Sequence, residues 1–473
     1  MIKEAKKFDV AVIGGGPVGM MAAIQASTLG ARVVLLEKNN RLGAKLLITG
    51  GGRCNLTNDI ADARVFVEKI GHKGKFLFSA LHRFGVTELR EFFASRGVPT
   101  KVEENGRVFP VSDRAVDVLR ALVDELKKNK VEIKYEAEVV KIIAREKQIQ
   151  EMVLKSGEKI SAGKYIICTG GKSYAATGSS GEAYGWLEKL GHNIIAPRPV
   201  LAPVIIKEKF IKELEGLSFK NVRATIFIDN KKGASRVGEI IFTANGLSGP
   251  MILDLSGFIS PQSLASSPLL LTSSASDSDR VSHKALAVAQ GRGSTVCRSD
   301  VDSLPLSRGL GTSAGNDGSE DGVKKIKLDF LPEISVDELD KKFQHDFQID
   351  GSRMIKNILE KILPPRLAIL ILRLAAVDKE KKACSIAKEE RRRIAQLIKE
   401  FRLEVDSVAG FDKAMVTAGG VDLCEVDPKT MKSKIIENLF LAGEVLDLDG
   451  PTGGYNLQIC WSTGFVAGNS IIE

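Results

Sequence analysis

The sequence predicts an α/β fold: a dinucleotide-binding Rossmann domain whose chain is interrupted by a small β-barrel and a helical insert. Three observations predict it. A short apolar run, Val10-Ala11-Val12-Ile13, leads into Gly14-Gly15-Gly16-Pro17-Val18-Gly19 and then an apolar helix, Met20 to Leu29. Strand and helix patterns alternate from Lys3 to about Pro197, as in a parallel sheet with crossover helices. Near the chain end, a buried-type run, Leu439-Phe440-Leu441-Ala442, is followed by a second glycine-rich loop, Gly450 to Gly454.

The first motif is a G-x-G-x-x-G in a strand–turn–helix context, which separates it from an ordinary glycine turn. One glycine suits the tight turn, one lets backbone approach a pyrophosphate, and one lets helix and strand pack closely. The helix start offers free N–H groups and a positive dipole end to phosphates. Gly30-Ala31 breaks the helix, and Arg32 to Leu36 forms the next strand with Glu37 at its end. That carboxylate suits ribose hydroxyls and repels a 2′-phosphate, so NADP is not expected in this pocket.

Farther along, Ala115 to Lys128 reads as an amphipathic helix, and Val131 to Tyr135 and Val139 to Ile143 as strands. Lys164 to Cys168 reads as a buried strand running into Thr169-Gly170-Gly171, a second place where backbone could cover a nucleotide. Pro197, Pro199 and Pro203 mark a boundary. After it come Val204 to Ile206, Arg223 to Ile228 and Glu239 to Phe242, the short strands of a barrel-like insert. Segment 260–322 is serine-rich and lacks aromatic residues, so it reads as a disordered surface loop or a sequence artefact. Lys324 to Phe330 resumes strand character. Ser335, with Glu338 three residues on, is an expected capping box opening helices that run to about Glu400. Arg402 to Val408 and Lys413 to Val416 read as strands. The expected units are therefore 1–197 and 412–473 for the dinucleotide domain, 198–334 for the barrel-like insert, 335–400 for the helical insert, and 401–411 for a strand returning to the barrel.

Composition sets outer bounds. At 473 residues the chain is too long for one core. Its 44% hydrophobic content suits a globular protein, and the longest apolar run, Leu367 to Leu372, is too short to span a bilayer. The first strand starts within eight residues, which leaves no room for a signal peptide, so a cytoplasmic protein is expected. Six scattered cysteines without a C-x-x-C, and five scattered histidines, argue against a dithiol centre or a metal site. The net charge of +9 favours polyanionic partners. Basic residues concentrate between Arg373 and Arg402, including Arg391-Arg392-Arg393; they form either a solvated helix face or a phosphate-tracking surface.

The two ends point to one long cofactor. Gly443-Glu444 follows a strand, and Glu444 could bond a sugar-alcohol chain. Gly453-Gly454-Tyr455 opens a helix whose positive end could stabilise an anionic reduced flavin. Two distant glycine motifs suit FAD better than NAD, which one βαβ unit largely holds. No second dinucleotide motif appears, since Gly309-Leu310-Gly311 lies in the serine-rich segment without a strand before it. NAD(P)H would then visit as a transient electron donor, or another donor would serve.

Longer motifs add a family. Leu42-Gly43-Ala44-Lys45 with Thr49-Gly50-Gly51-Gly52-Arg53-Cys54-Asn55-Leu56-Thr57-Asn58, Phe242-Thr243 with Gly246-Leu247-Ser248-Gly249-Pro250, Thr417-Ala418-Gly419-Gly420-Val421, and Gly453-Gly454-Tyr455-Asn456-Leu457-Gln458 resemble the BaiN/RdsA family of NAD(P)/FAD-dependent oxidoreductases (YhiN-like, aminoacetone-oxidase-type flavoproteins). The resemblance covers nearly the whole chain apart from 260–322. It implies a glutathione-reductase-like FAD-binding Rossmann domain interrupted by the barrel and the helical insert. It also implies reduction of a carbonyl-conjugated C=C bond by hydride from flavin N5, on a bile-acid-like enone or on uridine of ribosomal RNA. The basic charge favours the RNA. An amine or aminoketone oxidase and a non-enzymatic flavoprotein remain alternatives.

The candidate catalytic residues are Cys54, as a thiol acid or a small packing residue, Asn55, and Asn245, which could orient a substrate carbonyl. Relatives carry His or Asp where Ala244-Asn245 stand here, which puts a general acid from that loop in doubt. The candidate cofactor-binding residues are Gly14, Gly16, Gly19, Glu37, Lys38, Lys45, Arg53, Val139, Thr169, Gly170, Gly443, Glu444, Gly453, Gly454, Tyr455, Asn456 and Leu457. Arg53 is expected to hold a phosphate or the flavin carbonyl edge. Cys168 and Cys460 read as core.

Overall fold

Val10, Ala11, Val12 and Ile13 are all buried, so the strand Lys7–Ile13 is covered on both faces, as a central parallel strand must be. The computed structural model describes residues 7–259 and 323–471. The serine-rich segment 260–322, with Cys297 and Gly309 to Gly311, lies outside the described residues, as do 1–6 and 472–473. The first strand pairs in parallel with Val33–Leu36 on one side and Lys159–Ile167 on the other. Glu132–Lys134 extends the sheet beyond Val33–Leu36, and Leu439–Leu441 lies beside Lys159–Ile167, both in parallel. A hairpin, Val139–Arg145 with Gln148–Leu154, joins the start of Lys159–Ile167 antiparallel. The result is the Rossmann-type α/β sheet.

The register decides where a ligand can go. Ile13 pairs with Ile167, and Ile167 with Leu441, so three strands end side by side. Their exits are the glycine-containing turns after residues 13, 167 and 441. Crevices at the carboxyl ends of parallel strands, where strand order reverses, are the ligand sites of such sheets. Behind them the helices Pro17–Thr28 and Tyr455–Asn469 pack very closely. A Cβ at Gly464 or Gly468 would fall 2.6 or 2.3 Å from the carbonyl oxygens of Val18 and Ala22.

The second core belongs to a closed six-stranded antiparallel barrel: Val204–Ile206, Gly246–Ser248, Lys231–Thr243, Ser218–Ile228, Lys324–Asp329 and Phe401–Val408. Phe219, Phe242, Phe330 and Phe401 meet within it, with neighbouring centroids 5.1 to 6.5 Å apart. Between its last two strands the chain makes the helices Val336–Ile349, Ile355–Leu359, Pro365–Leu374 and Lys388–Lys399, which share this core. Ser335 caps the first of them: its Oγ accepts from Glu338 N at 3.2 Å, and Ser335 N donates to Glu338 Oε2 at 2.7 Å. No helix among the described residues is long and apolar enough to cross a membrane.

A two-stranded ribbon, Ile194–Val200 with Val416–Val421, joins the two cores. Here one expectation is corrected. The strand lies at Val416–Val421 rather than Lys413 to Val416, and all six of its residues are buried. Its two glycines conceal it in the sequence, yet the packing requires them. A Cβ at Gly419 (φ +87°) would fall 2.5 Å from Ala196 O, and one at Gly420 (φ +130°) 2.6 Å from Val445 O.

Candidate cofactor site

At the first exit the three motif glycines divide their work. Gly14 has φ +103°, and a Cβ there would fall 2.5 Å from Cys168 O, so two exits touch through it. A Cβ at Gly19 would fall 1.9 Å from Gly14 O, which fixes helix against turn. Around Gly16 nothing lies within 4 Å, so the helix N-terminus is open on that side. Glu37 is buried and braces the turn. Its Oε2 accepts from Gly15 N at 2.8 Å and its Oε1 from Asn39 N at 2.8 Å. A carboxylate has about four acceptor positions, so two remain for ribose hydroxyls. Val139 is buried at the head of its hairpin, near Glu37, whose carbonyl oxygen accepts from Ala137 N at 2.9 Å. Lys38 instead ties down the 180–182 turn, donating to Ser180 Oγ at 2.7 Å and Glu182 Oε1 at 2.9 Å.

A polar network joins the other two exits. Lys45 Nζ donates to Ser173 Oγ at 2.7 Å and Glu444 Oε2 at 3.0 Å. Glu444 Oε1 accepts from Thr417 N at 2.7 Å and Ser173 Oγ at 3.1 Å. Thr417 Oγ1 in turn accepts from Lys172 N and Ser173 N. Glu444 thus holds the junction ribbon to the Thr169-Gly170-Gly171 exit as well as lining the crevice. Gly443 (φ +79°) follows its strand where a Cβ would fall 2.4 Å from Val18 Cγ2. Ser173 and Thr417 were not among the expected site residues, although Thr417 opens a motif quoted for the family.

The second glycine block and the closing loop meet. Gly50, Gly51, Gly52 and Cys54 all have positive φ, so the block is a coil of left-handed residues. It runs into Thr57-Asn58, on which the closing loop rests. A Cβ at Gly454 would fall 2.3 Å from Thr57 C, and Asn58 Nδ2 donates to Gly453 O at 3.2 Å. Asn456 spends its amide on that loop, accepting from Gly450 N and donating to Gly450 O and Pro451 O. Tyr455 begins the closing helix with its ring 5.0 Å from Phe66, and Leu457 packs partly buried on the core. Three further carboxylates bind the loop. Asp447 and Asp449 accept from Lys73 Nζ at 2.6 and 3.1 Å. Asp254, on the barrel-side helix Pro250–Ser256, accepts from Thr452 N at 2.8 Å and Thr452 Oγ1 at 3.2 Å; burial raises its pKa. Nothing in the local sequence marks Asp254.

Of three further expected residues, Arg53 has different surroundings from those foreseen, Cys54 takes the place of the packing residue that was one of its two expected roles, and Asn245 lies at the surface. Arg53 does not present a free guanidinium to an anion: Nε and Nη2 bind Asp113 Oδ1 at 2.9 and 2.5 Å, Nη2 also binds Glu103 at 2.5 Å, and the group stacks on Phe109 at 4.0 Å. Its charge is already matched by carboxylates 50 and 60 residues away. Cys54 is fully buried in the main core, and that burial pushes its thiol pKa up to about 12. Asn245 is exposed in the turn between two barrel strands, where its carbonyl accepts from Ile206 N at 3.0 Å. In the Arg391–Arg393 run, Arg392 and Arg393 are exposed and Arg391 is largely buried, so the run is a solvated helix face with one internal member. Arg391 clamps Asp340 with two bonds, and Arg393 caps the Ala375 carbonyl.

The residues fit a flavin dinucleotide. Thr169 Oγ1 and Asn55 Oδ1 are buried without a hydrogen-bond partner, as groups awaiting a polar ligand would be. Comparison with known proteins agrees. The model of the HI0933-like protein Rossmann domain matches residues 8–470. The 3-dehydro-bile acid delta(4,6)-reductase of Clostridium scindens is 30% identical over 467 residues, covering 98% of this chain and 99% of that protein. The ribosomal RNA dihydrouridine synthase of Escherichia coli is 25% identical over 468 residues, covering 99% and 98%. Among solved structures, a 3-ketosteroid-delta4-(5alpha)-dehydrogenase from Rhodococcus jostii shares the fold at TM-score 0.50 and 14% identity, covering 100% of this chain and 98% of that one.

Proposed function

The chain belongs to the HI0933-like Rossmann family of FAD-dependent oxidoreductases, and on that footing we propose that it reduces a carbon–carbon double bond conjugated to a carbonyl, with uridine of ribosomal RNA as the favoured substrate. The observation that carries this is whole-length similarity to two proteins, one named a delta(4,6)-reductase and the other a dihydrouridine synthase. Reduction of such a bond, of the kind found in a 4-en-3-one or a uracil ring, is the chemistry both names share.

Gly14, Gly16, Gly19 and Glu37 would hold the adenosine end of FAD. Thr169, Gly170, Lys45, Gly443 and Glu444 would hold its middle, and Gly453, Gly454, Tyr455, Asn456 and Leu457 would lie at the flavin. FAD supplies two-electron, hydride-donating chemistry when bound. The N-terminus of Tyr455–Asn469 favours negative charge beside it. NAD(P)H serves as the transient donor, which anaerobic bleaching of the flavin by NADH or NADPH would test. The product also needs a proton on its α-carbon. Cys54 keeps its proton through neutral pH but has no exposed surface; Asp254, with its raised pKa, is the partly accessible alternative.

The RNA substrate draws support from charge. A groove of about 670 Å³ is lined by Trp186, Ile435 and Ile436 together with four cations, Lys141, Arg145, Lys147 and Lys189, and one acid, Glu146. None of these four cations has an ion pair among the described residues. Deleting the gene should remove a dihydrouridine from ribosomal RNA, as read by mass spectrometry, and restoring it should return the modification. An unchanged profile would leave the second reading, a small-molecule enone reductase. The 30% identity to the bile-acid enzyme and the commitment of Arg391 to Asp340 favour that one.

A further inference from the structure

Arg198, half-buried on the junction ribbon, differs from the other partly buried arginines. Arg53 and Arg391 are held by carboxylates, and Arg96 by Phe92 O, Ser95 and Glu125, although its Nε too is buried without a partner. The Arg198 guanidinium makes no hydrogen bond or ion pair among the described residues, although its Nη1 is buried. A guanidinium keeps its charge at any physiological pH, so a buried N–H without an acceptor is a standing cost to the fold. Such a group is retained where something else supplies the acceptor.

Its position says what that acceptor touches. Arg198 lies on the junction ribbon opposite Ala418, and the next pair is Pro199 with Thr417. Thr417 N is bound by Glu444, and Gly419 N by Asp447 Oδ1 at 2.9 Å, so both neighbours of Ala418 belong to the polar framework of the cofactor crevice. Paired residues of a ribbon share a face with the pair two positions on, here Val200 and Val416. On that face Val200, Val416 and Ala418 form a small buried cluster with Leu253 of the barrel-side helix. Arg198 therefore lies at the seam between the two cores, on the ribbon face of Leu253, whose chain neighbour Asp254 holds Thr452 of the closing loop.

Resting on the reductase reading above, we propose that Arg198 receives the oxygen of the substrate's conjugated carbonyl. As a hydride from the reduced flavin adds to the β-carbon, the π electrons move toward that oxygen, which gains negative charge. Arg198 donates hydrogen bonds to it and keeps its own protons. A proton then joins the α-carbon and the carbonyl is restored, so the substrate gains two electrons and two hydrogens in all. A fixed donor aimed where charge develops is a large catalytic term, and removing one costs roughly 100- to 1,000-fold in rate. Uracil and a 4-en-3-one steroid present the same acceptor.

The test compares wild type, Arg198→Met and Arg198→Lys as FAD-loaded proteins, with uridine 5′-monophosphate and a 4-en-3-one steroid as separate probes. Binding to the oxidised protein is read from the shift of the flavin absorbance, without turnover. Arg198→Met should bind the accepted probe at least about tenfold more weakly, and Arg198→Lys should recover part of the loss. Thermal melting of the ligand-free variants supplies a second measurement. Met keeps the apolar stem and removes the unpaired charge, so its Tm should equal or exceed that of wild type. Wild-type affinity in Arg198→Met would overturn the proposal and leave the reductase reading standing. So would a Tm several degrees lower, which would mark the residue as a structural support. Failure of the wild type to bind either probe would overturn both.

Discussion

At the scale of single residues, burial determines what Cys54 can do. Its thiol is sealed in the core with its pKa pushed up to about 12, against an ordinary value near 9. The folded state therefore holds this proton where the unfolded chain would release it. The resulting stability is fully present below about pH 9 and is lost as pH rises from there toward 12. Melting temperatures between pH 8 and 10.5 should fall less steeply in Cys54→Ala than in wild type. The same variant should keep its FAD and turn over more slowly if the thiol delivers the proton; full activity would transfer that role to Asp254. Glu37 was legible in the sequence because its role depends on its place after a strand. The ties of Arg53 were not, since Glu103 and Asp113 reach it only through the fold.

At the scale of elements, local signals read well and paired ones poorly. The capping box at Ser335 and the strand–turn–helix of the first motif are written within a few consecutive residues, and both stand where expected. The small sheet of Thr57–Asn58, Arg107–Pro110 and Thr100–Val102 was not foreseen, because strands of two to four residues carry no period. The helix Lys388–Lys399 shows why charge counts mislead. Arg391 and Asp340 are each largely buried, with side chains 13% and 15% exposed, whereas Arg392 is 63% exposed. Arg391→Ala removes both hydrogen bonds to Asp340 and leaves it only the longer, exposed ion pair with Arg392 at 3.8 Å, so it should cost roughly 2 kcal/mol in urea unfolding. Arg392→Ala should cost less than about 0.5 kcal/mol.

At the scale of the whole molecule, the net charge of +9 has a function only if it is concentrated and unpaired. The groove around Trp186 meets that condition better than the arginine run. Reversing Lys141 and Lys147 to Glu should weaken binding of a ribosomal RNA fragment and flatten its dependence on log salt by about one or two units. Flavin content should not change, since neither residue touches the crevice framework. An unaltered salt slope would remove the groove from the RNA path and strengthen the small-molecule reading. The overall architecture was legible because each core advertises its own period. The seam between the cores was not, because it is built from a proline-rich strand and a glycine-rich one.

The strand register has one more consequence, and it concerns time. Leu439–Leu441 completes the sheet beside Lys159–Ile167, yet it is made some 270 residues later. During synthesis the edge at Tyr165 to Ile167 stays unpaired while the barrel and its helices emerge, and the third exit of the crevice does not yet exist. An open parallel edge of that kind is prone to wrong pairing. A nascent chain halted before Asn438 should carry no flavin, and cells starved of the cofactor should accumulate a protein whose last 35 residues are cut readily by protease.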